Sequence, residues 1–362
     1  MSEHTVNSGA SAPASTSATT TPQQSAVAAP AAALQPELAA DRAPQASGAA
    51  AQSGPGARSR GRAIANAVVR PANSRCGSIA ILGASVLWGS TGTASSLAPA
   101  GASAAAIGSA GLALGGLLLF LTTCRTRTTY SWAQWRLLIA GAVAVAAYPV
   151  TFYPAVARTG VAVATVVALC SAPVFTGLVG WISGRSRPTA RWVGATAAAV
   201  IGCVAMVLGP ELTGQAAAVD LLGIGLALCG GLAYVVYSLI GGELIAEGKP
   251  SGSVMGLMFG MAGLMVLPVV LISGVSWLGT MRGAAVALHL AVFTTFLAYR
   301  LFGYGLRHTT VATATTLTLA EPAVAAVLAV AVLGERLPAV SWCGLAVLAG
   351  GLALLTVRPG RR

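Results

Sequence analysis

Residues 307–338 read RHTTVATATTLTLAEPAVAAVLAVAVLGERLP, an apolar run of 24 residues (Thr310–Leu333) between a basic pair and a Gly-Glu-Arg-Leu-Pro turn. That length is just above the ~20 residues a helix needs to cross a 30 Å hydrocarbon core. The run is apolar on every side, as befits a helix surrounded by lipid and other helices. Its one charge, Glu321, stands beside Pro322 near the middle. An earlier stretch, residues 158–188, reads RTGVAVATVVALCSAPVFTGLVGWISGRSRP. Pro173 follows Arg158 by fifteen residues, just as Pro322 follows Arg307 by fifteen. Gly184 and Pro188, then Trp192 and Gly194, match Gly334 and Pro338, then Trp342 and Gly344. One offset, 149 residues and then 150 after a single gap, aligns both stretches. One unit is used twice.

Working outward, similar segments recur: Ser78–Ala98, Ala102–Cys124, Ala133–Ala155, Val161–Ser183 and Ala190–Leu208, then Leu221–Gly242, Val254–Val275, Ala285–Leu306, Thr310–Leu333 and Ala339–Val357. Composition agrees with ten spans: hydrophobic residues are 56% of the chain and charged residues 8%. A soluble domain is about one-quarter charged. Six cysteines without a C-x-x-C pair exclude a disulfide scaffold and a zinc ribbon. No G-x-S-x-G, H-E-x-x-H or Walker loop occurs, which excludes the hydrolases and ATP-driven pumps those motifs mark. No cofactor or metal site is expected.

Residues 1–75 are a different material, rich in Ala, Ser, Thr and Pro and poor in anchors for a core, and are expected to be disordered. The tail ends in Arg58, Arg60, Arg62, Arg70 and Arg75. With a net charge of +12, such a stretch invites a nucleic-acid reading. Next to a membrane span, binding to anionic lipid is the simpler account, and no nucleic-acid partner is expected. With the N-terminus inside, 17 of the 21 basic residues fall on the cytoplasmic side and three outside. This places both termini, including residues 358–362, in the cytoplasm of a multi-pass cell-membrane protein. Residues 78–208 and 220–357 then form two five-helix repeats. Five is odd, so the second repeat enters the bilayer the other way up, an arrangement of many secondary transporters.

The chain resembles the drug/metabolite transporter superfamily in its EamA-type branch. The resemblance is carried by Leu87-Trp88-Gly89, by Pro173 with Gly184, Pro188 and Trp192-Val-Gly194, and by Glu321-Pro322 with Gly334-Glu335-Arg336-Leu337 and Trp342-Cys-Gly344. It implies an all-α integral membrane fold, ten helices as two inverted-topology repeats, and export of amino acids, related metabolites or toxic compounds. One departure stands out: such families often carry Gly-Glu after the fourth helix, whereas Gly184 precedes Arg185.

Charges at membrane depth point to function, since each costs about 2.5–3.5 kcal/mol on insertion scales. Two stand out, Arg300 and Glu321. A carboxyl held away from water can take and release a proton, which makes Glu321 the proton-coupling candidate. The two lie about 7 Å apart in depth at 1.5 Å per residue, so either a stretched pair or a substrate carboxylate can bridge them. His289, Phe293, Phe296, Arg300 and Tyr304 recur every three or four residues and share one face of a regular helix. That face is expected to line a water-filled cavity, with Trp88, Tyr234 and Tyr237 as aromatic walls. Tyr148 and Tyr153 are assigned to an interfacial belt. Pro173 and Pro322 are expected to break their helices, freeing the carbonyls of Leu169 and Thr318 toward a ligand. The Gly111–Gly115 and Gly256–Gly260 pairs suit close bundle packing or a homodimer equally. The leading reading is a secondary transporter of small organic solutes, proton-coupled through Glu321; the alternatives are a membrane enzyme acting on a lipid-linked substrate and a passive channel.

Overall fold

The computed structural model describes residues 74–99, 101–123, 128–184, 187–212, 220–334 and 336–356. The tail with its expected disorder, the loop residues Arg185 and Glu335, and the C-terminal residues 357–362 lie outside the described residues. Among those described, every regular element is helical. Ten helices follow in order: α1 Ser74–Ser96, α2 Ala104–Thr123, α3 Trp132–Val161, α4 Val163–Ile182, α5 Ala190–Leu212, α6 Leu221–Ala246, α7 Ser251–Ile272, α8 Met281–His308, α9 Val311–Val332 and α10 Ala339–Thr356. Nine of them, α2 to α10, are long and apolar enough to cross a membrane. The other, α1, has 23 residues but ends in the polar run Gly-Ser-Thr-Gly-Thr-Ala-Ser-Ser.

Local sequence accounts for the boundaries. Ser131 and Gln134 close a reciprocal capping box at the start of α3. Asp220 caps α6 by accepting the Gly223 N–H at 2.9 Å, and its other oxygen meets Arg158 Nε at 2.9 Å. These contacts hold the Asp220 carboxyl below the usual carboxylate range, the capping bond from the Gly223 N–H most of all. The helices α3 and α4 join without a loop at Gly160, whose φ of 81° reverses the chain where a side chain would be strained.

The two prolines expected to break matched helices behave differently. Pro322 does interrupt α9: Val311–Leu317 ends, Thr318 and Leu319 form a tight turn, and a new helix starts at Ala320. Pro173 does not interrupt α4, whose backbone is helical from Val163 to Ile182, so the expected break there is corrected. Its surroundings explain this. The buried turn around it is clasped by α6, where Gly231 lies against the Ala168 carbonyl and the Ser171 hydroxyl. Packing of this kind lets a membrane helix carry a proline.

Glycines mark the closest helix approaches. Gly77 and Gly83 of α1 face His308 and Leu301 of α8, while Gly89 faces Val324 of α9. In the other half, Gly223 and Gly230 of α6 face Thr159 and Thr151 of α3, and Gly231 faces α4. Helix α2 packs on α7, and α5 on α10. Exchanging the halves (α1 for α6, α2 for α7, and so on) leaves this pattern of neighbours unchanged. Both G-x-x-x-G pairs are used inside the chain: Gly111 and Gly115 meet Leu290, Ala291 and Thr295 of α8, and Gly256 and Gly260 meet Leu119 and Phe120 of α2.

Candidate functional site

A cavity of about 650 Å³ lies between the halves, lined by residues of α1, α2, α3, α4, α6, α7, α8 and α9. At one end its wall includes Ser95, Ala102 and Ala104 where α1 turns into α2, and Val156 and Val161 at the Gly160 corner. At the other end of the molecule, short polar bonds tie the start of α3 to the α6–α7 turn. Tyr130 donates to Ser253 Oγ at 2.8 Å, Gln134 Nε2 to Glu247 Oε2 at 2.7 Å, and Lys249 Nζ to the Thr129 carbonyl at 2.6 Å. The Lys249 ammonium also sits 5.0 Å from the Tyr130 ring centroid.

The broken helix α9 supplies the acid. Without an N–H at Pro322, the Thr318 carbonyl loses its helical donor. The Glu321 N–H takes that place at 3.0 Å, so the carbonyl is recaptured by the turn rather than left for a ligand. The same turn sets Glu321 in the first turn of the Ala320–Leu333 helix and into the cavity wall beside Thr318. Tyr148, Tyr234 and Tyr299 line the same cavity.

The aromatic walls are fixed by their own hydrogen bonds. Tyr234 OH pairs with Thr318 Oγ1 at 3.0 Å, and Tyr237 OH with Tyr299 OH at 3.1 Å. The ring of Tyr299 lies 5.0 Å from that of Trp88 and 3.8 Å from that of Phe259. Trp88 is held by an irregularity in α8. Between Leu290 and Leu297 this helix widens into a π-helix, and the Ala298 N–H reaches back to Phe293 O. In a regular α-helix that donor belongs to Thr294 O. The released Thr294 carbonyl accepts Trp88 Nε1–H instead, at 2.9 Å. Trp88→Phe keeps an aromatic ring but leaves that carbonyl without its donor. We expect a stability loss of about 1–3 kcal/mol, read as a lower thermal-unfolding temperature in detergent.

Trp88, Tyr234, Tyr237, Thr318, Glu321 and Pro322 thus meet in one wall. The expected stripe on α8 does not join them. His289 donates to or accepts from Ser90 Oγ at 2.9 Å and lines a second pocket of about 490 Å³ with Arg282. Phe293 and Tyr304 stay 44% and 42% exposed, and Phe296 lies under the Arg300 guanidinium, 5.7 Å from ring to carbon. Arg300 reaches Thr122 Oγ1 at 3.3 Å, one residue from the end of α2, so its long stem carries the charge toward the helix end. It forms no pair with Glu321. The π-helix is the physical reason: its wider turns rotate the stripe off the face it would share at 3.6 residues per turn. The face that meets the cavity is Leu290, Thr294, Thr295 and Tyr299. Tyr148 and Tyr153, assigned to an interfacial belt, also line the cavity, with Phe152 stacked 5.3 Å from Tyr148. Pro173 is buried outside the lining, although Leu169, the residue equivalent to Thr318, is part of it.

Comparison with known proteins agrees with this architecture. The EamA-like transporter family matches residues 75–208 and again 221–357. A protein of Bacillus subtilis (strain 168) named "Uncharacterized transporter YwfM" is 33% identical over 287 residues, which is 79% of this chain and 95% of that protein. A solved crystal structure covers 77% of this chain and 95% of its own at a TM-score of 0.65; at 18% identity it shows a shared fold. With the family matched over both halves of a multi-pass helical bundle, this chain belongs to the EamA-like transporter family and is a membrane transporter rather than an enzyme.

Proposed function

We propose that the protein is a secondary transporter that exports small organic solutes by alternating access, with Glu321 coupling the cycle to protons. The observation that carries this reading is the 650 Å³ cavity, which draws its wall from both halves and holds an acid at the broken turn of α9. A carrier needs a binding place that two bodies can expose to either side in turn. Residues 78–208 and 220–357 are those two bodies, and five spans in each turn the second upside down. With both termini in the cytoplasm, as the basic residues favour, the end near Ser95, Ala102 and Val161 faces outward. The Tyr130–Ser253 and Gln134–Glu247 bonds then close the cytoplasmic side. The solute site comprises Trp88, Tyr148, Tyr234, Tyr237, Tyr299 and Thr318; His289, Phe293, Phe296, Arg300 and Tyr304 fall away from it.

Purified protein in liposomes tests this reading. Counterflow of a labelled solute is expected to saturate, and Glu321→Gln is expected to reduce proton-driven uptake to the level of empty liposomes. Flux that rises without saturation would indicate a channel, and a chemically altered solute an enzyme; either result removes the proposal. Labelling single cysteines at positions 187 and 335 from each side checks the topology, with the two on opposite faces as the expected result.

A further inference from the structure

We propose that the second pocket holds an anionic phospholipid, its phosphate at Arg282 and one acyl chain in the slot below. The proposal goes beyond the transport reading and does not depend on it. This pocket of about 490 Å³ shares no lining residue with the larger cavity. Helix α1 stands between them, with Thr91, Gly92 and Ser95 toward the cavity and Ser90, Thr93 and Ala94 toward the pocket.

The shape follows from two antiparallel helices. The pocket runs from Ser90 to Leu97 on α1 and from Arg282 to His289 on α8. Ser90 Oγ meets His289 Nε2 at 2.9 Å, which closes the deep end and sets the register. Leu97 then lies across from Arg282 at the mouth. The two ends are about 10 Å apart on each helix at 1.5 Å per residue. Leu328 of α9 forms the third side, and the small side chains of Ala94 and Ala285 leave the slot its width. Its open side faces hydrocarbon. Leu97 is 56% exposed and Leu288, next to His289, 62%. Phe293, one turn deeper on α8, is exposed as well, its ring 5.1 Å from that of His289. Exposed apolar side chains on a membrane span meet lipid tails.

Charge selects the lipid. Arg158 pairs with Asp220, Arg191 bonds the Leu354 carbonyl and Arg300 bonds Thr122. Arg282 has neither an ion pair nor a hydrogen bond among the described residues, and no Asp or Glu lines the pocket. It also stands in the first turn of α8, which carries no acid, where the positive end of the helix dipole disfavours a cation. A phosphate offsets both. Its oxygens accept charge-assisted hydrogen bonds from the guanidinium, and its charge suits the start of a helix. With no acid present to receive the ammonium of a zwitterionic headgroup, an anionic one such as phosphatidylglycerol is preferred. A soluble phosphate would serve Arg282 alone, whereas a phospholipid serves the arginine and fills the apolar slot with one molecule.

Binding of radiolabelled dioleoyl phosphatidylglycerol to the purified, delipidated full chain in detergent tests the proposal. We expect a single saturable site, about tenfold tighter than for dioleoyl phosphatidylcholine. Arg282→Gln should abolish that preference and Arg282→Lys retain part of it. Arg307→Gln, which removes an exposed charge at the other end of α8, should leave it intact. Ala285→Trp fills the slot and should weaken both lipids about fivefold or more. Glycerol phosphate, which has the charge without the chain, should not compete. Thermal unfolding in the same detergent shows that the variants fold, and Ala285→Trp carries the test if Arg282→Gln does not. Equal affinity for the two lipids would overturn the proposal, as would an equal loss in Arg307→Gln or unchanged binding in Ala285→Trp. Competition by glycerol phosphate would do so too, marking a site for soluble anions.

Discussion

Gly344→Ala is expected to destabilise the protein although alanine is the better helix former. A Cβ at Gly344 would lie 2.4 Å from the Met206 backbone nitrogen, 2.7 Å from the Gly202 carbonyl oxygen and 2.8 Å from the Met206 Cα. Gly202 is in the same position from the other side, 2.3 Å from the Leu348 nitrogen. All these neighbours are backbone, so no side chain can swing away and α5 must separate from α10. Membrane helices associate through such close contacts, because lipid removes the hydrophobic drive that holds soluble helices together. Overpacking of this kind costs about 1–3 kcal/mol, and Gly344→Val more. Gly350, on the same helix, has no atom within 4 Å of its would-be Cβ. Gly350→Ala should therefore be neutral, or stabilising by up to about 1 kcal/mol from helix propensity. Thermal unfolding in detergent measures both. A Gly344→Ala protein as stable as wild type would show that the α5–α10 crossing is looser than these backbone contacts require.

Gly108→Ala should change the cavity rather than the fold. A Cβ there would lie 1.4 Å from Tyr153 Oη and 2.3 Å from its Cζ. This neighbour is the far end of a side chain, so the phenol can move while the helices stay in place. Because Tyr153 and Gly108 both line the cavity, the displaced ring must alter the space left for solute. We expect half-saturation of counterflow to shift by about tenfold or more, with unfolding temperature changed much less than in Gly344→Ala. Adding Tyr153→Leu removes the clashing ring, so the double variant should behave like Tyr153→Leu alone. Such non-additivity identifies residues in direct contact. If the two substitutions instead add, the contact does not govern the site.

How much of this was legible in advance varies by residue, for one reason. The Glu321–Pro322 break showed in the sequence because a charge and a proline are local facts, and both act through the chain on either side of them. Trp88, Tyr234 and Tyr237 stand out in the sequence as aromatic residues within apolar spans, and the fold brings all three to the cavity. Tyr299 carries no comparable mark beside the more conspicuous Arg300, and only the π-helix between Leu290 and Leu297 turns the tyrosine inward. Phe259 carries no signal at all, since it lies among apolar neighbours on α7. In water an apolar stripe would reveal the buried face of a helix. Here lipid and protein interior are equally apolar, so that signal is missing.

The amino-acid sequence by itself determined that the chain crosses a membrane many times and consists of one helical unit used twice. Span length, scarcity of charge and matched Pro, Gly and Trp are properties of segments, and no packing is needed to express them. Tertiary structure alone decided which side of each helix meets the cavity. It carried Pro173 through an unbroken α4, sent Arg300 to the end of α2, and brought Tyr148 and Tyr153 into the wall. These outcomes depend on close glycine contacts and on one widened turn in α8, where a rotation of a fraction of a turn moves a side chain from lipid to solute.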